Sequence, residues 1–173
     1  MIVVFIIGLV TAGALIAFTG EHRDTELEKE AARLNALFDY VREQAELQTR
    51  DYGFRSDQNK YSFVVFDVLA NQWRPAEEDE ALRERKYPGG ITPAMVVEGR
   101  SIVLDAKQKT VKDFTPQVMI FANGDLSSFE VMLEREAGAG QARIYTDEQS
   151  KIHLLQPGET EQSVAAARKA RQP

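Results

Sequence analysis

Cysteine is absent from the 173 residues, which removes disulfides, thiolate catalysis and cysteine-ligated zinc together. Histidine is nearly absent: His22 and His153 are the only two, too few for a histidine-rich metal site. Proline is missing from positions 1–50, so nothing there breaks a helix. Charge is missing from positions 1–20, and all 27 acidic and 21 basic residues follow, giving the remainder the whole net charge of −6. That balance argues against general nucleic-acid binding, because phosphates need a positive surface. No glycine-rich phosphate loop follows a strand and opens a helix, and "EAGAGQA" (136–142) reads as a loop between strands.

What is present begins with "MIVVFIIGLVTAGALIAFTG" (1–20), whose polar side chains are Thr11 and Thr19. A helix of about 20 apolar residues spans the hydrocarbon core of a bilayer. No Lys or Arg precedes the run, as a cleavable export signal would require. Gly8, Gly13 and Gly20 suit a membrane helix better than a water-exposed one. The spacing therefore predicts a single membrane-spanning helix over 1–20.

An amphipathic continuation follows over 21–50. Leu27, Ala31, Leu34, Phe38, Val41 and Ala45 alternate at spacings of four and three, which is the apolar seam of a helix packed on a core. Glu26, Glu28, Lys29, Glu30, Arg33, Arg42, Glu43 and Glu46 occupy the other faces. One unbroken helix over 1–50 would measure roughly 70 Å.

Over 51–155 the period changes to two. "YSFVVFDV" (61–68), "MVVEG" (95–99), "SIVLDA" (101–106), "PQVMIFA" (116–122), "SSFEVMLER" (127–135), "ARIYTD" (142–147) and "KIHLLQ" (151–156) read as short antiparallel strands. Asn123-Gly124 fits the two-residue hairpin turn and predicts a hairpin joining 116–121 to 127–134. "DEQS" (147–150) joins the last two strands. "AEEDEALRER" (76–85) reads as a short helix or a solvated connection. Residues 156–173 carry no sustained apolar pattern and read as a flexible tail.

Candidate chemistry is sparse. His22 sits among charges where the helix would leave the membrane. His153 alternates with Ile152 and Leu154, which predicts a solvent-facing side chain. Asp105, Asp113, Asp125 and Asp147 stand mostly at strand ends, where turns and caps explain them; Asp147 and Glu148 also offer oxygen ligands to calcium. Trp73, near Pro75, suits a sheet edge or the rim of the core. We assign no catalytic residue, no metal ligand and no cofactor.

The arrangement is α+β: a long N-terminal helix, membrane-spanning and then amphipathic, packed on an antiparallel β-sheet or sandwich. It resembles the type IV pilin-like proteins, with "MIVVFIIGLVTAGALI" similar to the stretch after their Phe-Thr-Leu-Ile-Glu-like segment. A leader, processing site and glutamate are expected before Met1. "LNALFDYVREQAELQTRDYGFR" (34–55), then "YSFVVFD", Trp73 with Pro75, and "PQVMIFANGDLSSFEVML" (116–133) resemble in order and spacing the H-type minor pseudopilins of type II secretion. The resemblance implies a non-enzymatic filament subunit, anchored once in the bacterial inner membrane with its head in the periplasm. Implied partners are other major and minor pseudopilins, the inner-membrane assembly platform, prepilin peptidase acting on the precursor, and secreted substrates. Phe5, Gly8, Ala12, Gly13 and Leu15 would pack the helix in membrane and filament, small residues permitting close approach. A minor pilin of type IV pili with the same domain, serving adhesion or DNA uptake through "RKAR" (168–171), stays open, as does a membrane-anchored periplasmic enzyme or binding module.

Overall fold

The structure is a computed structural model that describes residues 25–106, 114–135 and 140–164 in full and residues 2–24 as helix backbone. Helix α1 runs through Ile2–Gln48. It ends where Thr49 turns left-handed (φ 52°). The Arg50 amide then reaches the Ala45 carbonyl at 3.1 Å, and the Thr49 amide the Glu46 carbonyl at 3.4 Å. This is a Schellman cap, closed here by a threonine where glycine is usual.

Ten strands follow. They are β1 (Tyr52–Ser56), β2 (Lys60–Asp67), β3 (Gln72–Pro75), β4 (Arg85–Lys86), β5 (Ile91–Val97), β6 (Arg100–Ile102), β7 (Val118–Ile120), β8 (Phe129–Arg135), β9 (Gln141–Thr146) and β10 (Ile152–Leu155). They form two antiparallel sheets. The first has the order β3-β2-β1-β7, with β4 beside β2; the second has the order β10-β9-β8-β5-β6. Residues 76–85 lie between β3 and the end of β4, and a single 3-10 turn (Glu80–Leu82) capped by the Asp79 side chain buries Leu82 among them.

The α+β architecture follows from two local periods. At 3.6 residues per turn, Leu27, Ala31, Leu34, Phe38, Val41 and Ala45 share one side of α1, and each has no exposed surface. At period two, Phe54, Tyr61, Phe63, Val65, Val118 and Ile120 of the first sheet, and Phe129, Val131, Leu133, Ala142 and Ile144 of the second, are buried with them in one core. Burying each large apolar side chain contributes about 1.5–3 kcal/mol.

Several expected strands shift, and the reasons are instructive. β5 begins at Ile91 and includes Pro93 opposite Leu133. A proline fits there because β6 pairs only Met95–Val97, leaving no ladder bond for Pro93 to donate on that edge. The tight two-residue turn is at Glu98-Gly99, both left-handed (φ 50° and 71°), between the paired Val97 and Arg100.

The expected hairpin between 116–121 and 127–134 forms only at its tip, where the Ser127 amide donates to the Met119 carbonyl at 3.0 Å, and does not continue as a strand pair. β7 pairs with β1 in the first sheet, whereas β8 pairs with β5 and β9 in the second. Asn123-Gly124 closes only a local loop, held by Phe121 and Asp125 and an isolated Ile120–Leu126 bridge. Gly124 alone of the two is left-handed (φ 82°), so the turn spans Phe121–Gly124 and ends in a glycine bulge. The chain then crosses from one sheet to the other.

Residues 156–164, expected within a flexible tail, continue from β10 in contact with the helix and the head: the Gln156 side chain donates to the Glu28 carbonyl of α1 at 3.4 Å, and Arg143 of β9 pairs with Glu161 at 3.0 Å.

Candidate functional site

The side chains of Phe5, Gly8, Ala12, Gly13, Leu15 and His22, with Asp113 and the basic residues 168–171, lie outside the described residues. Among the described residues no helix is long and apolar enough to cross a membrane. The structure instead gives full detail where α1 enters the head, over Thr25–Leu34.

Glu30 is the unexpected member of this neck. The sequence places it among the polar faces, but it is only 3% exposed. Three residues after Leu27 and four before Leu34, it sits about 60° from the seam, at its edge rather than opposite it. Its burial is tolerable because partners await it. Tyr61 of β2 donates its hydroxyl to Glu30 Oε1 at 2.7 Å, and Arg33 donates to Oε2 at 3.1 Å. Burial, aided by the Glu30 hydrogen bond, holds the Tyr61 phenol above its ordinary pKa. The network continues inward: the Tyr61 ring lies 5.0 Å from that of Tyr87, whose hydroxyl is 2.8 Å from Ser56 Oγ. A period-two reading that faces Phe63 and Val65 inward also faces Tyr61 inward, and a buried phenol needs a polar partner. That was the available signal.

Two further contacts flank the neck. Arg135, buried at the end of β8, lies 3.4 Å from Glu26 and donates to the Gly89 carbonyl at 3.0 Å. Gln156, just after β10, reaches the Glu28 carbonyl. Side chains from β2, from the end of β8 and from the segment just after β10 thus converge on about one and a half turns of helix.

The opposite end of the packed helix is different. Asp51 accepts from the Phe66 amide through its carbonyl and from the Ala122 amide through its carboxylate, each at 2.9 Å. This ties the end of β2 and the Phe121–Gly124 turn to the helix end. Leu47, Val68, Leu69 and Phe121 are exposed there. Beside them, a cleft of about 380 Å³ is lined by Tyr40, Arg50, Tyr52, Arg74, Asp79 and Leu82, and Tyr40 donates to Asp79 at 2.6 Å across its wall.

His153 does not stand in solvent. Its Nε2 lies 2.6 Å from Asp147 Oδ2, its side chain is 14% exposed, and its ring stacks on Tyr145 at 5.4 Å. Asp147 also accepts from the Gln149 and Lys151 amides, so its oxygens are engaged in closing the β9–β10 turn. Trp73 packs against Phe66 at 5.2 Å on the outer strand β3. No cluster of three or more potential metal ligands exists among the described residues.

No family model matches the chain. Two curated proteins do: type II secretion system protein H of Aeromonas hydrophila is 28% identical over 169 residues, covering 94% of this chain and 92% of that protein. The protein of the same name from Pseudomonas aeruginosa is 27% identical over 147 residues, covering 82% and 83%. Among solved structures, the crystal structure of the minor pseudopilin EpsH from the type II secretion system of Vibrio cholerae superposes with a TM-score of 0.67 at 18% identity, covering 78% of this chain and 99% of that one. The solution structure of E. coli GspH gives 0.59 at 15% identity, covering 80% and 94%. The chain is a homologue of type II secretion system protein H, built on the fold of the minor pseudopilins EpsH and GspH.

Proposed function

We propose that the chain is a minor pseudopilin, a non-enzymatic structural subunit of the type II secretion pseudopilus. The observation that carries this reading is the similarity to type II secretion system protein H, which spans 94% of the chain and 92% of the Aeromonas protein. Helix and head are therefore matched together, in one order.

In this reading, residues 1–20 anchor the chain once in the inner membrane and place the head, 51–155, in the periplasm. The apolar helix leaves lipid only by packing at once against equivalent helices. Phe5, Gly8, Ala12, Gly13 and Leu15 would make those contacts, since small residues let backbones approach closely. The partners are other pseudopilins, with the assembly platform and prepilin peptidase acting before assembly and secreted substrates afterwards. The head is carried by α1, so the neck transmits whatever the helix does.

The test is co-isolation. When pseudopilus filaments are overproduced and sheared from cells, the chain should sediment with them and label along or at the end of them. A chain that remains wholly in the inner-membrane fraction while filaments form normally would overturn the reading.

A further inference from the structure

Helix α1 is covalently joined to the head only at its far end, where Thr49–Asp51 lead into β1. At the neck, the direction in which the helix leaves the head is set by side-chain contacts. Leu27, Ala31 and Leu34 fix how deeply the helix sits, but apolar contact is non-directional and permits rocking. Directional contacts come from the polar groups. Arg135–Glu26 and Gln156–Glu28 are both 3.4 Å long, near the limit for a hydrogen bond. Glu26 is moreover well exposed, its side chain 60% accessible. Glu30–Tyr61 differs on both counts: it is 2.7 Å long and joins side chains that are almost fully buried.

A buried carboxylate is a weak source of net stability, because desolvation offsets most of what its partner returns. Its value lies in having one satisfactory position. A helix that rocks or rotates at the neck keeps the Arg33 pair, which lies on the same helix, but parts Glu30 Oε1 from the Tyr61 hydroxyl and leaves both buried groups without that hydrogen bond, which is disfavoured. Arg33, half exposed, can follow the carboxylate outward; Tyr61, held in β2 against Tyr87, cannot.

We propose that the Glu30–Tyr61 hydrogen bond fixes the direction in which α1 leaves the head, acting as a specificity element rather than as a stability element. On the filament reading above, that direction sets how the head is presented around the helical core. The orientation itself is a property of the single chain and is measured independently of assembly.

The experiment uses the full chain in detergent micelles. It has no cysteine, so introduced cysteines alone take spin labels. One labelled pair is Lys29→Cys with Leu69→Cys, reporting the neck against the head; the other is Leu47→Cys with Val103→Cys, reporting the far end of the helix. All four positions are exposed. The double substitution Glu30→Leu with Tyr61→Phe removes both partners in favour of apolar groups. By double electron–electron resonance, the neck pair should broaden about twofold in its distance distribution as further orientations are populated, while the far-end pair stays unchanged. Glu30→Gln, which keeps an acceptor for the Tyr61 hydroxyl, should retain the narrow distribution. An unchanged neck distribution in the double variant would overturn the proposal. Equal broadening of both pairs would also overturn it, by making the bond a general support of the fold. Should the double variant fail to fold, Tyr61→Phe alone is read by the same two outcomes. Failure here leaves the filament reading intact, and failure of co-isolation leaves this measurement intact.

Discussion

Phe38 of α1 and Phe129 of β8 stack with ring centroids 4.5 Å apart and planes 25° from parallel. The same Phe38 ring lies 4.8 Å from Phe54 and 5.7 Å from Phe63 in the other sheet. One helix side chain therefore joins both sheets, and the two halves of the head meet on it.

Phe38→Ala should destabilise the chain by about 3–5 kcal/mol, since the cavity opens where three elements meet and cannot collapse locally. Denaturant titration of the full chain in detergent, followed by near-ultraviolet circular dichroism, measures this. A loss below about 1 kcal/mol would place the hub elsewhere.

Gly53 and Gly99 should differ in what they tolerate. A Cβ on Gly53 would run into the Pro116 ring, a rigid group that cannot swing aside, whereas Gly99 faces open space and is held only by its φ of 71°. Gly53→Ala should cost about 3 kcal/mol through overpacking, and Gly99→Ala about 1 kcal/mol through left-handed backbone strain. Thermal unfolding of the two variants side by side gives the order, and the reverse order would contradict the packing described.

The acid limb of stability should depend on His153. The hydrogen bond from His153, with the Lys151 and Gln149 amides, holds the Asp147 carboxyl below its ordinary value of 3.8. A carboxyl depressed in the folded state stabilises the fold above 3.8 and loses that contribution as pH falls from there through its folded value. His153→Ala should move the Asp147 titration up toward 3.8 and weaken the acid dependence in that window. Carboxyl-carbon NMR reads the titration directly. An unmoved titration would show that the backbone amides alone hold the carboxylate.

The sequence makes some of this legible and conceals the rest for physical reasons. The α+β arrangement is local information: the period of α1 and the alternation in the strands each lie within a few residues. Strand pairing is not local. Asn123-Gly124 carries a strong turn signal, but the signal cannot say that the strand before it joins β1 and the strand after it joins β5 and β9. Pro93 conceals the start of β5 because its tolerance depends on where a different strand stops. Glu30 is hidden for a related reason. A glutamate among charged neighbours reads as solvated, and only the position of Tyr61, thirty-one residues away, makes its burial possible. His153 likewise owes its cover to Asp147 and Tyr145 across a hairpin.

The measurement that bears most directly on the central claim is secretion itself. In the source bacterium, loss of this chain should trap normally secreted proteins in the periplasm while leaving their synthesis and inner-membrane export intact, and resupplying the chain should restore their release. Undiminished secretion in its absence, or loss of surface pili with secretion intact, would contradict the account.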